Sequence, residues 1–446
     1  MNLGMGMKRM MYTRLVNQES AVAVIGLGHV GLPLALEFSK HVSVIGYDAN
    51  ADRIESYRQG IDATGNVGFQ AIRDSSVAFT SDEARLEDAD FFIIAVPAPV
   101  RRGFASDLTP IRDATQTIAR RMKIGAVVVY EATVYPGMIE EVCLPMLEEE
   151  SGLLCGEDFK IGCSPPRGRR NDQEEQSNGT MRKIVSGIDD ETLDIVASVY
   201  SMVADGGIFR AGSIKAAESA QAIGKAQIEI NRAFMNELSM LCNRMGIDTK
   251  AALEAASVNG QVITYSPGLA GGQEAGSYSS DLLCHAEVAG YSSSLLLAGK
   301  HINDGMGRYI AQQFIKKLMG LRMDIRFARV GVIGLSAMEN SPDIRNTKVT
   351  DIVFELQQYG IHPIIVDPLV DSRIAYEEYG IELSDLSALH HLNAIIVATP
   401  HQMIADMNIS DFDKLFGDGH KKLLFDVMGI YDRTEFERQG YHYWSL

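Results

Sequence analysis

Three glycines, in Gly26-Leu27-Gly28-His29-Val30-Gly31, follow a short apolar run and open a helical one. That spacing suits the holding of a pyrophosphate against bare backbone. The first glycine permits a tight turn, the second lets phosphate approach the chain, and the third lets helix and strand pack closely. The N–H groups of the helix start, around His29 and Val30, are offered to the phosphates. Asp48 closes the next apolar run, about 20 residues on, where a carboxylate accepts ribose hydroxyls and disfavours a 2′-phosphate. The expected cofactor is therefore NAD rather than NADP.

The runs that flank these groups are the elements that must hold them. Ala21–Ile25 reads as a strand, the glycine turn and a helix to about Lys40 follow, and Val42–Tyr47 is a second strand ending at Asp48. Phe91–Val96 and Ala126–Tyr130 are further strands with helical stretches between them, a βαβ alternation that predicts a doubly wound parallel sheet. From Ile214 to Met245 apolar residues recur at helical spacing with only Gly224 as a breaker, predicting one long helix. More helix is expected over Thr249–Ala256 and Leu295–Met319. A second βαβ pattern starts at Arg329, with a helix over Lys348–Tyr359 and strands in the 362–368, 394–398 and 423–426 segments. The expected fold is α/β: two Rossmann-like doubly wound parallel-sheet domains with a long central helix and a helical dimerisation region. The domains expected are a loose leader over 1–20, an NAD-binding domain over 21–210, a helical connector over 211–320 and a C-terminal Rossmann-like domain over 321–446.

Composition narrows the partners. A formal charge of −17 over 446 residues argues against nucleic acid or an anionic membrane surface, both of which need a basic face. No run approaches the roughly 18 apolar residues of a membrane span. The N-terminal twenty residues hold Lys8, Arg9 and Arg14 but lack the apolar core of a signal peptide. Cys143, Cys155, Cys163, Cys242 and Cys284 form no metal-ligand spacing, so reduced thiols in a cytoplasmic protein are expected and no metal site.

Further motifs carry a resemblance. Ala95-Val96-Pro97-Ala98-Pro99, Tyr130-Glu131-Ala132-Thr133-Val134-Tyr135-Pro136-Gly137, Met235-Asn236-Glu237, Ser341-Pro342-Asp343-Ile344-Arg345-Asn346-Thr347-Lys348, Asp367-Pro368 and Asp426-Val427-Met428-Gly429 stand in the order, and close to the form, of motifs in the UDP-glucose/GDP-mannose dehydrogenase family. The chain resembles that family from Val22 to its C-terminus, and its UDP-N-acetylhexosamine subgroup most. The resemblance implies cofactor contacts from Gly26, Gly28, His29, Val30, Gly31, Asp48, Arg53, Val96, Pro97 and Thr133. It implies substrate contacts from Arg167, Asn236, Gly271, Gly272 and Arg345, with a nucleotide sugar or related anion as ligand and a homodimer built on the long helix.

It also implies a mechanism that this chain departs from. Family members oxidise C6 of a UDP-sugar twice, through a thiohemiacetal on a cysteine, with a glutamate that handles water and a lysine–asparagine pair at the alkoxide. Here the cysteine position, in Gly271-Gly272-Gln273-Glu274, is Glu274, and the aspartate four residues on is Tyr278. The glutamate is Pro166, the lysine Gln221 and the asparagine Lys225; Thr133 alone is kept. Two substrate-contacting basic residues become Ser266 and Met338. A carboxylate does not replace a soft, reversible thiolate nucleophile, so the four-electron oxidation is expected to be lost. Hydride transfer asks less: cofactor placement and one group to take a proton. Lys225, one helical turn from Gln221 on the same face, is a candidate for the alkoxide role, with Glu274 as proton acceptor. The alternatives are a solvated helix lysine and a surface loop acid, with Tyr278 as packing. Arg167, Arg169 and Arg170 are either an anion clamp or a solvated loop. Three functions stay open: repurposed two-electron or epimerase-type NAD chemistry, a non-catalytic structural or regulatory partner, and conventional UDP-N-acetylhexosamine 6-dehydrogenase activity in polysaccharide biosynthesis.

Overall fold

A computed structural model describes residues 11–64, 67–97, 107–132, 134–166, 182–258, 265–269, 271, 282–283, 286–287, 290–417, 419 and 421–446. The chain divides into two compact units, Met1–Gly224 and Lys225–Leu446, with the boundary inside the Ile214–Met245 helix.

The first unit is built on an eight-stranded sheet of β1 (Ala21–Ile25), β2 (Val44–Tyr47), β3 (Ala78–Thr80), β4 (Ala89–Ile94), β5 (Val127–Tyr130), β6 (Lys160–Cys163), β7 (Lys183–Gly187) and β8 (Ile208–Arg210). Their spatial order is β3-β2-β1-β4-β5-β6-β7-β8. Strands such as AVAVI in β1 are buried along their whole length, as a sheet covered by helices on both faces requires. The winding direction reverses beside β1, so the C-terminal ends of β1 and β4 define a crevice where ligands of such sheets bind. One pairing departs from the all-parallel expectation: β6 and β7 run antiparallel, which needs no helical crossover between them.

Residues 11–16 are helical, and Met11 and Leu15, four apart on one face, are 6% and 0% exposed within the core under β1 and β4. The segment from 11 to 16 is thus part of the domain and not the loose leader expected there. One helical turn is too short for that pair to stand out from the neighbouring Tyr12 and Val16, which are exposed. Cys143 and Cys163 are buried as small apolar residues, and burial pushes the Cys143 thiol up to about 11.

The second unit carries β9 (Val330–Ile333), β10 (Ile364–Val366), β11 (Ala394–Val397), β12 (Lys422–Asp426) and β13 (Tyr441–Trp444), all parallel, in the order β10-β9-β11-β12-β13. The Ser294–Gly320 helix crosses the Val349–Gln358 helix closely: a Cβ on Gly307 would lie 2.6 Å from Asp351 Cβ. Phe425 and Trp444 stack at 4.4 Å between centroids and close one face of the sheet. Among the described residues, no helix is long and apolar enough to cross a membrane.

Candidate functional site

The glycine turn sits at the crevice of the first sheet. Gly26 has φ +91°, and a Cβ there would lie 2.6 Å from Val96 Cγ1 and 3.0 Å from Ala95 O, so only glycine lets the two loops meet. A Cβ on Gly31 would fall 1.9 Å from Gly26 O. At Gly28, by contrast, a Cβ meets nothing within 4 Å. Val30, at the start of the Gly31–Ser39 helix, gives no side-chain cap, and an anion is the natural partner of such a helix start.

Asp48 is 6% exposed at the end of β2. Its Oδ2 accepts from Leu27 N and Arg53 Nη1, both at 2.9 Å, and its Oδ1 from Asn50 N at 3.0 Å. Tyr57, which no sequence signal marked, donates its hydroxyl to Leu27 O at 2.6 Å and so grips the turn from the other side. A carboxylate accepts about four hydrogen bonds, and Asp48 accepts three here, leaving capacity for one ribose hydroxyl. The residues fit NAD, which when bound supplies the hydride acceptor. Pro97 is exposed beside Val96, while Thr133 lies outside the described residues.

Asp367 holds the equivalent place after β10 and is spent. It accepts from Leu335 N, Ser336 N, Leu369 N, Val370 N and His401 at 2.7–3.2 Å, with its side chain 0% exposed. Burial alone raises its carboxyl, but these donors hold it at about 2. The second sheet therefore seals the position that the first leaves usable for a ribose.

Pro166 and Gln221 meet beside the Ile214–Met245 helix. Gln221 Nε2 donates to Pro166 O at 3.2 Å, and Lys183 Nζ donates to Pro165 O at 3.2 Å. Lys183 is itself held in a buried ion pair with Glu131, whose other oxygen accepts from Tyr200 at 2.7 Å. The Ser164–Pro166 segment is thus gripped by its carbonyls, and neither proline has an N–H to offer. Lys225 is half-buried one turn beyond Gln221. Glu274, Tyr278, Gly272 and Arg167, with the rest of the arginine cluster, lie outside the described residues.

Glu218, one turn before Gln221, lies on the same helix face at i, i+3 spacing, and no motif in the sequence marks it. It is 2% exposed and accepts from Gly137 N at 2.6 Å and Ile139 N at 3.0 Å. Burial outweighs these donors and raises its carboxyl from 4.5 to about 7. A raised folded value means that the native state binds the proton more tightly than the unfolded chain. The resulting stabilisation is complete below the unfolded value and is lost as pH rises through 7. At ~1.4 kcal/mol per unit the swing is about 3 kcal/mol. Glu218→Gln, neutral throughout, is expected to flatten the fall in melting temperature between about pH 5 and pH 8. Parallel calorimetric profiles for variant and parent would refute the assignment.

In the second unit three turns converge. Tyr379 donates its hydroxyl to Ile344 O at 2.9 Å and accepts from Asn346 N at 3.1 Å, shaping the loop of Arg345. Arg345 pairs with Asp343 through Nε at 2.8 Å and Nη2 at 2.7 Å. Asp426 accepts from Gly429 N, Tyr431 N and the Tyr443 hydroxyl at 2.6–2.9 Å, fixing the turn of Met428. Gly271 lies against Ala337 and Asn346, its Cβ position 3.3 Å from Ala337 Cβ. Asn236, expected to contact substrate, is 0% exposed and directed at Gly268 and Asn303 instead.

A dinucleotide turn on one sheet and converging loops on a second sheet, whose own ribose position is closed, define a two-site nucleotide-dependent oxidoreductase. Comparison with known proteins agrees. The NAD binding domain of the UDP-glucose/GDP-mannose dehydrogenase family matches residues 20–204, its central domain 215–305 and its UDP binding domain 331–433. The chain is 40% identical over 415 residues to UDP-N-acetyl-D-glucosamine 6-dehydrogenase of Pseudomonas aeruginosa, covering 93% of this chain and 98% of that one. It is 39% identical over 414 residues to protein CapL of Staphylococcus aureus, covering 93% and 97%. Among solved structures, UDP-D-ManNAc dehydrogenase from Pyrococcus horikoshii superposes with a TM-score of 0.84 at 24% identity, covering 95% and 98%. The chain belongs to the UDP-glucose/GDP-mannose dehydrogenase family, and NAD is its cofactor.

Proposed function

We propose that this protein binds NAD and a UDP-sugar of the N-acetylhexosamine class but carries the reaction through at most one hydride transfer. One observation supports this above the rest: the position of the alkoxide-stabilising lysine is a neutral amide, Gln221, bonded to the carbonyl of Pro166, where no carboxylate stands. An amide keeps a donor at that place and forgoes the positive charge that a developing alkoxide calls for. With Glu274 at the nucleophile position, the thiohemiacetal that commits an aldehyde to a second oxidation has no sulfur to form on. Lys225, one helical turn from Gln221, is the candidate for the alkoxide role in a single reversible oxidation, and Lys225→Ala is expected to abolish it.

The rival reading is full 6-dehydrogenase activity, favoured by 40% identity to a UDP-N-acetyl-D-glucosamine 6-dehydrogenase. Counting NADH per UDP-N-acetylglucosamine consumed separates the two. Two would overturn the proposal. One, an epimer without net NADH, or binding without turnover would each support it. The exposed apolar residues Phe234, Leu241 and Met245 on one face of the long helix, 51–62% exposed, support a homodimer, which light scattering of the Phe234→Glu variant would test. The composition supports a cytoplasmic location, which cell fractionation checks.

A further inference from the structure

Asn236 reaches Gly268 with both ends of its carboxamide. Its Oδ1 accepts from Gly268 N at 2.8 Å and its Nδ2 donates to Gly268 O at 3.1 Å. The second Nδ2 hydrogen goes to Asn303 Oδ1 at 3.0 Å, and Asn303 Nδ2 donates to Glu229 O at 3.0 Å. A peptide N–H only donates and a carbonyl only accepts, so both amides are fixed in orientation. On its other side Gly268 abuts Met428: a Cβ there would lie 2.8 Å from Sδ. The segment passes through a slot with carboxamide on one wall and thioether on the other.

The slot has consequences three residues on. Gly271 rests on Ala337 and on Asn346 O, at 3.3 and 3.4 Å from its Cβ position. Those two residues border Met338 and Arg345, where the resemblance puts ligand contacts. Leu269, between slot and Gly271, packs on the core beneath β9 and β12. The placement of 265–269 and of Gly271 against the 336–346 loop is therefore set at Gly268, by a side chain with no free polar atom and no exposed surface.

We propose that Asn236 is a positioning residue of the nucleotide-sugar site in this unit, acting through the Gly268 peptide and not by touching ligand. The proposal rests on the reading that this unit binds a uridine nucleotide. Asn236→Asp in the full-length protein tests it. The carboxylate faces Gly268 O and Asn303 Oδ1 with no proton to give, whereas its protonated form regains one donor. Burial against acceptors favours that protonated form, so it returns as pH falls.

Affinity for UDP, measured by titration calorimetry and divided by that of the parent at the same pH, is expected to drop about tenfold or more near pH 9 and to recover to within about threefold near pH 6. NAD affinity, measured alongside, should stay at the parental value throughout. Parental UDP affinity at both pH values, or an equal loss at both, would overturn the positioning role. A parent that binds NAD but no UDP would instead bring down the underlying reading and the proposal with it. Should Asn236→Asp fail to fold, Asn303→Ala leaves one Asn236 N–H unpaired. It is then expected to weaken UDP about threefold with NAD unchanged, and an unchanged UDP affinity would count against the proposal.

Discussion

Glu274→Cys, Pro166→Glu, Gln221→Lys, Lys225→Asn and Tyr278→Asp, introduced together, are expected to give two NADH per UDP-N-acetylglucosamine where the parent gives at most one. Glu274→Cys alone should not. A thiol at that place gains its nucleophile but finds no carboxylate at Pro166 to handle the hydrolytic water and no ammonium at Gln221 for the alkoxide. A positioned acid or base contributes about 10²–10⁴-fold, so a thiol without its helpers stays below detection. The structural cost of the combined change is small at Gln221, because lysine can keep a bond to the carbonyl now held at 3.2 Å. Substituting Pro166 leaves that carbonyl in the main chain and restores an N–H. Product analysis for the sugar carboxylate is the measurement. Carboxylate from the unmodified protein would end this account of its chemistry.

Two glycines of one turn should fail in different ways. Gly31→Ala puts a methyl 1.9 Å from Gly26 O and 3.1 Å from Ala95 Cβ, both on packed backbone or core. Overpacking of this kind costs about 3 kcal/mol, so both melting temperature and NAD affinity should fall. Gly28→Val meets no protein atom within 4 Å of its Cβ, and its backbone is not left-handed. Its melting temperature should stay near that of the parent, while NAD affinity falls on the order of a hundredfold, nearly 3 kcal/mol. The open volume at Gly28 is where the pyrophosphate must approach the chain. Calorimetric melting and NAD titration of both variants decide the matter, and undiminished NAD binding by Gly28→Val would remove the turn from the cofactor site.

Much of the scaffold was legible because its signals are local. The long helix begins and ends at Ile214 and Met245 as its apolar spacing predicted, and β1 and β11 lie where unbroken apolar runs put them. The Gly26–Gly31 turn and Asp48 were readable because a glycine spacing and a carboxylate at a strand end carry their mechanism with them. What escaped depends on partners far away in sequence. Nothing in the one-dimensional pattern says that Tyr57 bonds Leu27, or that Lys183 pairs with Glu131 across 52 positions. The resemblance implies a ligand contact at Asn236, and nothing local in the sequence says that its carboxamide is buried and spent on Gly268 and Asn303. Residues 11–16 read as leader because a six-residue stretch with scattered apolar residues does not announce which of them enter a core.

A carboxyl that titrates near neutrality makes Glu218 a proton reservoir as well as an anchor. Any ligand that tightens the Gly137 and Ile139 amides around it must favour the carboxylate and expel the proton. Its affinity must then climb with pH, and its apparent binding enthalpy must depend on the ionisation heat of the buffer. Proton release on NAD binding, counted in two buffers, would report any such coupling without turnover.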